Sequence, residues 1–236
     1  MGNVIWHERE NISMGEPMLC IDEKVAELVG AFLGDGYTYG KFGRYQVGFV
    51  GHKKDDRAFF EELSKTMRIA AGGRPQLRER FRGLRLRVNN KRLYEFLVKD
   101  LKLDYKGEKS YNVTIPEPLL NDWALTKACL RGLLATDGSI FTARKPGVEK
   151  YPSIEITTVS EKLANQLVNI LKEKGFRVRM HWYDPKNDVQ VRTFKVSLNG
   201  WGMLRKWYEE IGISHPLKKQ KAEEILSAKY GNGKAI

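Results

Sequence analysis

Two stretches of this chain, VGAFLGDGYTYG (Val29 to Gly40) and LRGLLATDGSIF (Leu130 to Phe141), superimpose when the first is moved 102 positions along the sequence. Leu28 falls on Leu130, Gly30 on Gly132, Asp35 on Asp137 and Gly36 on Gly138. Small residues recur at every fourth position: Ala26, Gly30 and Gly34 in one stretch, Ala128, Gly132 and Thr136 in the other. On a helix that spacing makes a ridge along one face. Apolar residues flank each ridge (Val25, Val29, Phe32, Leu33; Leu125, Cys129, Leu133, Leu134), as in a largely buried helix.

The elements after each stretch also correspond. The first is followed by strand-like YQVGFVGH, a helix around DRAFFEELSKTM, strands in RPQLRERF and LRLRV, and helix KRLYEFLVKDL. The second is followed by YPSIEITTV, helix SEKLANQLVNILKEKG, strands FRVRMHWY and VQVRTFKVSL, and helix WGMLRKWYEEIG. Each half reads helix, two strands, helix, two strands, helix. The proline-punctuated IPEPLLND joins them. So long a repeat specifies a pseudo-dimer within one chain rather than a solenoid. The expected organisation is an extension over 1–20 of unknown role, a first repeat over 21–118 and a second over 119–236. The fold class is α+β, with duplicated αββαββα units and a monomeric chain.

Both helices end in an acid followed by glycine, and this is electrostatically odd. A helix C-terminus carries partial negative charge, so a carboxylate there is disfavoured. If the ridges pack together, Asp35 and Asp137 become neighbours and also repel each other. A divalent cation turns that penalty into a site, because oxygen ligands and negative dipole ends both favour Mg²⁺. A Gly-Asp-Gly turn explains one such motif; two at equivalent repeat positions call for more.

Charge points the same way. Forty-one Lys and Arg against 29 Asp and Glu give a net charge of +12, which suits a polyanionic partner. In RPQLRERFRGLRLRV, Arg78, Arg80 and Arg82 alternate, Gly83 is read as the turn, and Arg85 and Arg87 alternate again. Strand periodicity puts these arginines on one face, with Leu77, Phe81, Leu84, Leu86 and Val88 on the other. In the second half Arg177, Arg179 and His181 alternate before DPKND, and Arg192 and Lys195 follow it. A two-stranded ribbon fits the major groove, and arginine suits guanine edges and phosphates. Glu155 is a candidate acceptor from cytosine, or else one partner of a surface ion pair. The two cysteines form no CxxC and the four histidines are scattered, which argues against zinc. No run is long enough for a membrane span and no signal layout opens the chain, so an intracellular protein is expected, with an organelle left open.

LVGAFLGDG and LRGLLATDG resemble the two copies of the signature of LAGLIDADG homing endonucleases, in their single-chain form. The resemblance runs from about Met18 onward, because the element order matches as well. It implies two antiparallel, saddle-shaped sheets that straddle double-stranded DNA, and cleavage of both strands at a long asymmetric target. The last acid of each motif would bind catalytic metal: two or more Mg²⁺ ions shared between Asp35 and Asp137, with the carbonyls of Gly34 and Thr136 as helpers. The family also places a basic residue near the attacking water in each half. GEKSYNVTIP resembles its Lys-Ser segment and points to Lys109. GISHPLKKQK resembles its His-Pro-x-Lys variant and points to Lys218, with Lys219 close behind. His52 is read as a polar residue that orders water, and its counterpart near Thr158 or Val159 is not equivalent. The alternative within this fold is an RNA-binding maturase, with intron RNA as partner, or a DNA-binding regulator without cleavage.

Overall fold

The structure is a computed structural model that describes residues 19–81, 83–103, 109–185 and 191–230, with only the backbone of Ala71, Lys109, Ser110 and Tyr230. The first half runs α1 (Glu23–Asp35), β1 (Gly36–Lys41), β2 (Arg44–His52), α2 (Arg57–Ala71), β3 (Gln76–Arg80), β4 (Gly83–Asn89) and α3 (Lys91–Glu95), which a π-helical turn, Phe96–Asp100, extends. Two short helices, α4 (Lys109–Asn112) and α5 (Glu117–Leu120), lead to the second half. There α6 (Trp123–Asp137) precedes β5 (Gly138–Lys145), β6 (Val148–Thr158), α7 (Glu161–Glu173), β7 (Val178–Tyr183), β8 (Thr193–Asn199), α8 (Trp201–Glu210) and α9 (Pro216–Tyr230). The duplicated order expected from the repeat is the order observed.

Among the described residues the strands form two four-stranded antiparallel sheets, ordered β1-β2-β4-β3 and β5-β6-β8-β7. Each sheet has one apolar face. Val47, Phe49, Leu84, Leu86 and Val88 are buried in the first; Ile154, Ile156, Val196 and Leu198 are buried in the second. These faces pack on α2 and α7, whose polar outer sides leave an apolar stripe inward (Phe59, Phe60, Leu63, Met67; Leu163, Leu167, Leu171).

The repeat helices begin alike. Asp22 accepts from the Val25 N–H at 2.8 Å and Asp122 from the Ala124 N–H at 2.7 Å, so each side chain satisfies a helix-end donor. Their ridges meet. A Cβ on Gly30 would lie 1.9 Å from the Cys129 carbonyl oxygen, and a Cβ on Gly132 would lie 2.0 Å from the Glu27 carbonyl oxygen. The contacts are reciprocal, because Glu27 and Cys129 are themselves related by the same 102-residue shift. Backbone touches backbone across a pseudo-twofold axis, which explains why both positions are glycine. Arg131 clasps the crossing from outside. Its guanidinium donates to Glu27 at 3.4 Å, to Glu23 at 3.1 Å and to the Ile211 carbonyl at 3.0 Å.

Two expectations for the arginine hairpin need correction. Gly83 is not the turn; it opens β4, paired with Arg80 on one side and His52 on the other. Phe81 does not face the helices. It sits in the two-residue loop at φ +43° with its side chain 98% exposed, because the turn breaks the strand alternation that would have pointed it inward.

Candidate metal and nucleic-acid site

The chain leaves α1 and α6 straight into β1 and β5. Gly36 and Gly138 are extended (ψ 149° and 157°), and each donates its N–H back to the helix, to Phe32 and Leu134. Asp35 and Asp137 are therefore the last helical residues. A Cβ on Gly34 would lie 3.0 Å from the Asp137 carboxyl carbon and 2.3 Å from the Thr136 hydroxyl. The second aspartate thus lies against the C-terminal turn of the first helix, as the packed ridges require. Thr136 fills the notch that Gly34 leaves, and its hydroxyl turns back to the carbonyls of Gly132 and Leu133.

Lys218 closes this centre. Carried on the first turn of α9, its ammonium donates to the carbonyls of Leu134 at 2.9 Å, Ala135 at 2.6 Å and Thr136 at 3.3 Å. It caps the negative end of α6 at the point where Asp137 adds to that charge. Burial pushes its ammonium down to about 8, against the opposing pull of Asp56, Asp35 and Asp137. Lys219 points elsewhere, its Nζ 4.0 Å from Glu223 on the same helix. Lys109 begins α4, but its side chain lies outside the described residues.

A residue pair that the sequence did not suggest anchors Lys218. His215, 2% exposed, places Nε2 3.1 Å from Oδ1 of Asp56, and its ring stacks near Phe59. The other Asp56 oxygen accepts the His52 N–H at 2.5 Å. Burial raises the Asp56 carboxyl, but the bonds from His215 and His52 and the charges of His215 and Lys218 outweigh it and hold the group below its ordinary value. The contact joins the start of α2 in one half to the residue before α9 in the other. A parallel contact exists at the start of α7, where the Ser160 hydroxyl donates to the Val113 carbonyl at 2.8 Å, just beyond α4. Each half thus grips the segment of the other half that carries its candidate lysine. The His-Pro pair before Lys218 was the only trace of this in the sequence. His52 itself ends β2, its imidazole exposed and 3.0 Å from Asp55. The register explains its missing counterpart: Gly36 pairs with Phe49 and Gly138 with Ile156, so the residue equivalent to His52 is Val159.

The outer faces of the sheets carry the cations. Arg78 and Arg85 are cross-strand partners, and Arg87 is opposite Gln76. Like charges directly opposite are destabilising, so this pairing argues for an anion between them. Glu79 projects to the other side, where it meets Lys53 at 3.5 Å and Arg57, so it does not interrupt the arginine face. Arg80 ends β3; Arg82 lies outside the described residues. In the second sheet Arg179 is opposite Ser197 and His181 opposite Lys195, with Arg177 exposed just before β7. Two cations here already have acidic partners: Lys195 donates to Glu155 at 2.8 Å, and Arg192 to Asp184 at 2.7 Å. Glu155 is therefore in the ion pair that was one of its two readings.

A chain with paired repeat helices, two antiparallel sheets and two carboxylates at the helix ends defines a pseudo-symmetric α+β class. The LAGLIDADG-like domain family model matches residues 124–212, in the second half. No curated protein matches the chain. Among solved structures, the chain is similar to a double variant of the homing endonuclease I-DmoI in complex with its target DNA, nicked in the coding strand, in the presence of manganese (TM-score 0.57, 16% identity, 80% of this chain and 95% of that one). It is similar to the homing endonuclease I-WcaI bound to its DNA recognition sequence (TM-score 0.57, 16% identity, 88% of each chain). It also resembles full-length DUF199/WhiA from Thermatoga maritima (TM-score 0.55, 18% identity), covering 91% of this chain and 61% of that one. The protein has the LAGLIDADG homing-endonuclease fold in its single-chain, two-repeat form.

Proposed function

We propose that this protein is a monomeric, site-specific DNA endonuclease that makes a metal-dependent double-strand break at a long asymmetric target, as in intron homing. The observation that carries the reading is the packing of Asp137 against the last turn of the helix that ends in Asp35, with Lys218 attracted to both carboxylates and a cationic sheet in each half. Two carboxylates and the nearby carbonyls of Gly34 and Thr136 form an all-oxygen donor set, which fits a hard divalent ion such as Mg²⁺. When bound, such ions supply charge stabilisation for the phosphoryl oxygens and acidify an attacking water. The protein's own groups do the rest. The Gly30–Gly132 crossing holds the carboxylates together, and Lys218 sets a positive charge beside them. The arginine-bearing strands fix the duplex across the axis, and the unequal halves suit an asymmetric target.

One second reading is a nucleic-acid-binding protein of the same fold that does not cut, because the cationic sheet faces serve binding whether or not the centre cleaves. One experiment separates them. Wild-type protein and the Asp35→Asn/Asp137→Asn double variant are incubated with genomic DNA containing uninterrupted candidate sites, in Mg²⁺ or EDTA, and new ends are sequenced. The endonuclease gives discrete paired ends that require Mg²⁺ and both aspartates, while the variant keeps DNA binding. Tight binding of DNA or intron RNA without new ends selects the second reading.

A further inference from the structure

Two turns of the first sheet carry phenylalanine where turn chemistry asks for something else. Phe42 and Gly43 join β1 to β2, between the paired Lys41 and Arg44. Phe81 follows Arg80, the last residue of β3, which pairs with Gly83 at the start of β4. Phe42 has φ +51° and Phe81 φ +43°. Bulky side chains rarely adopt that left-handed conformation, and two-residue hairpin turns prefer Asn, Asp or Gly there. The protein covers almost nothing of either ring: Phe42 is 93% exposed and Phe81 98%. Each position therefore combines backbone strain with exposed apolar surface. The corresponding first turn of the second sheet is an ordinary Pro146-Gly147, with Gly147 at φ +75°. That sheet carries its exposed aromatics on strands instead, Phe141 on β5 and Trp182 and Tyr183 on β7.

The sequence around each ring identifies its partner. Lys41-Phe42-Gly43-Arg44 and Arg80-Phe81-Arg82-Gly83 both set an aromatic ring between cations. The two rings are also separated. β1 starts next to Asp35 and runs six residues outward, so Phe42 lies about 20 Å from the aspartates, or about six base pairs along a duplex. Gly83 pairs with His52, which lies beyond the Phe49 that pairs with Gly36, so the Phe81 turn is at the aspartate end. Two rings at opposite ends of a basic face are too far apart to share the apolar core of one protein interface. They can stack on bases or wedge between base steps, while neighbouring cations hold the phosphates.

We propose that Phe42 and Phe81 are aromatic wedges for DNA. Phe81 opens or stacks on a base step near the cut, and Phe42 does so about six base pairs outward in the same half-site. This rests on the reading of the basic sheets as a DNA-binding surface.

The test uses a duplex selected from a random-sequence library by wild-type binding, with 2-aminopurine placed at each position in turn. Wild-type protein should brighten the probe at two places, one near the centre and one further out. Phe42→Ala should lose the outer signal and Phe81→Ala the inner one, each weakening affinity by about 5- to 150-fold. Phe42→Asn separates this from a structural role: it creates the preferred Asn-Gly turn, so thermal stability should rise while affinity falls as in Phe42→Ala. Phe42→Trp should retain both binding and signal. If the variants bind and brighten the probe as wild type does, the wedges are refuted and the DNA reading stands. If they lose affinity where wild type shows no brightening, the rings touch only the DNA backbone and the wedge role is refuted. If wild type selects no duplex, the DNA reading fails and the wedges fall with it.

Discussion

Replacing Gly132 with alanine tests the helix crossing on which the site depends. The new methyl group would arrive 2.0 Å from the Glu27 carbonyl oxygen, where ordinary contact begins at 3.4 Å, so the helices must part by about 1.4 Å. The obstacle is backbone and cannot rotate away, which puts the overpacking cost near the upper end of the usual range, about 3 kcal/mol. Alanine's better helix propensity returns about 1 kcal/mol. The net loss of about 2 kcal/mol corresponds to a fall in Tm of roughly 4–8 °C for a chain of this size. Gly30→Ala should behave alike, its methyl meeting Cys129 at 1.9 Å. Once one substitution has parted the helices, the second finds room already made, so the double variant should fall short of the additive loss by at least about 1 kcal/mol. Urea unfolding of the four proteins measures this directly. Displacing the aspartates by such a distance should also lower DNA cutting by about a hundredfold. Single variants within about 0.5 kcal/mol of wild type, or strict additivity, would refute the reciprocal crossing.

Other predictions concern the charges. Asp35→Asn and Asp137→Asn should each move the Lys218 ammonium further below about 8, since each removes a negative charge that opposes the effect of burial; an NMR titration of the lysine side chain checks this. Asp56 titrates below its ordinary value of 3.8 in the folded chain, so its contribution is fully present above that value and is lost as pH falls through the lower folded value. The Tm gap between wild type and Asp56→Asn should accordingly hold at pH 6 and close on acidification below about pH 4. Arg85→Ala should weaken DNA binding at low salt and make the slope of log affinity against log salt shallower by about 0.9, the signature of one lost phosphate contact.

The repeat made the element order and the two aspartates legible, because helix and strand periods are local properties. The ridge also foretold the close approach of α1 and α6, since only very small residues at fourth-residue spacing permit it. Local alternation failed at Phe81, where a two-residue turn reverses the chain and resets which side faces out. It also could not show that Glu79 turns to Lys53 and Arg57 on the back of the sheet. The Asp56–His215 contact left no local signature beyond the His-Pro pair: its partners are 159 residues apart and meet only because the halves pack about the axis. Local sequence is equally silent on which of Lys218 and Lys219 lies at the end of α6. Adjacent helical residues point about 100° apart, and only the placement of α9 decides which of them reaches α6.

The most direct test of the central claim is strand-resolved, single-turnover cutting of an end-labelled duplex recovered from the genomic digestion. Wild type, Asp35→Asn, Asp137→Asn and the double variant would be compared in Mg²⁺ and in EDTA at equal DNA occupancy. If the two carboxylates together hold the catalytic ions, every variant should bind the duplex and cut at least about a hundredfold more slowly than wild type, and EDTA should abolish cutting. Wild-type rates on both strands in the double variant would contradict the account.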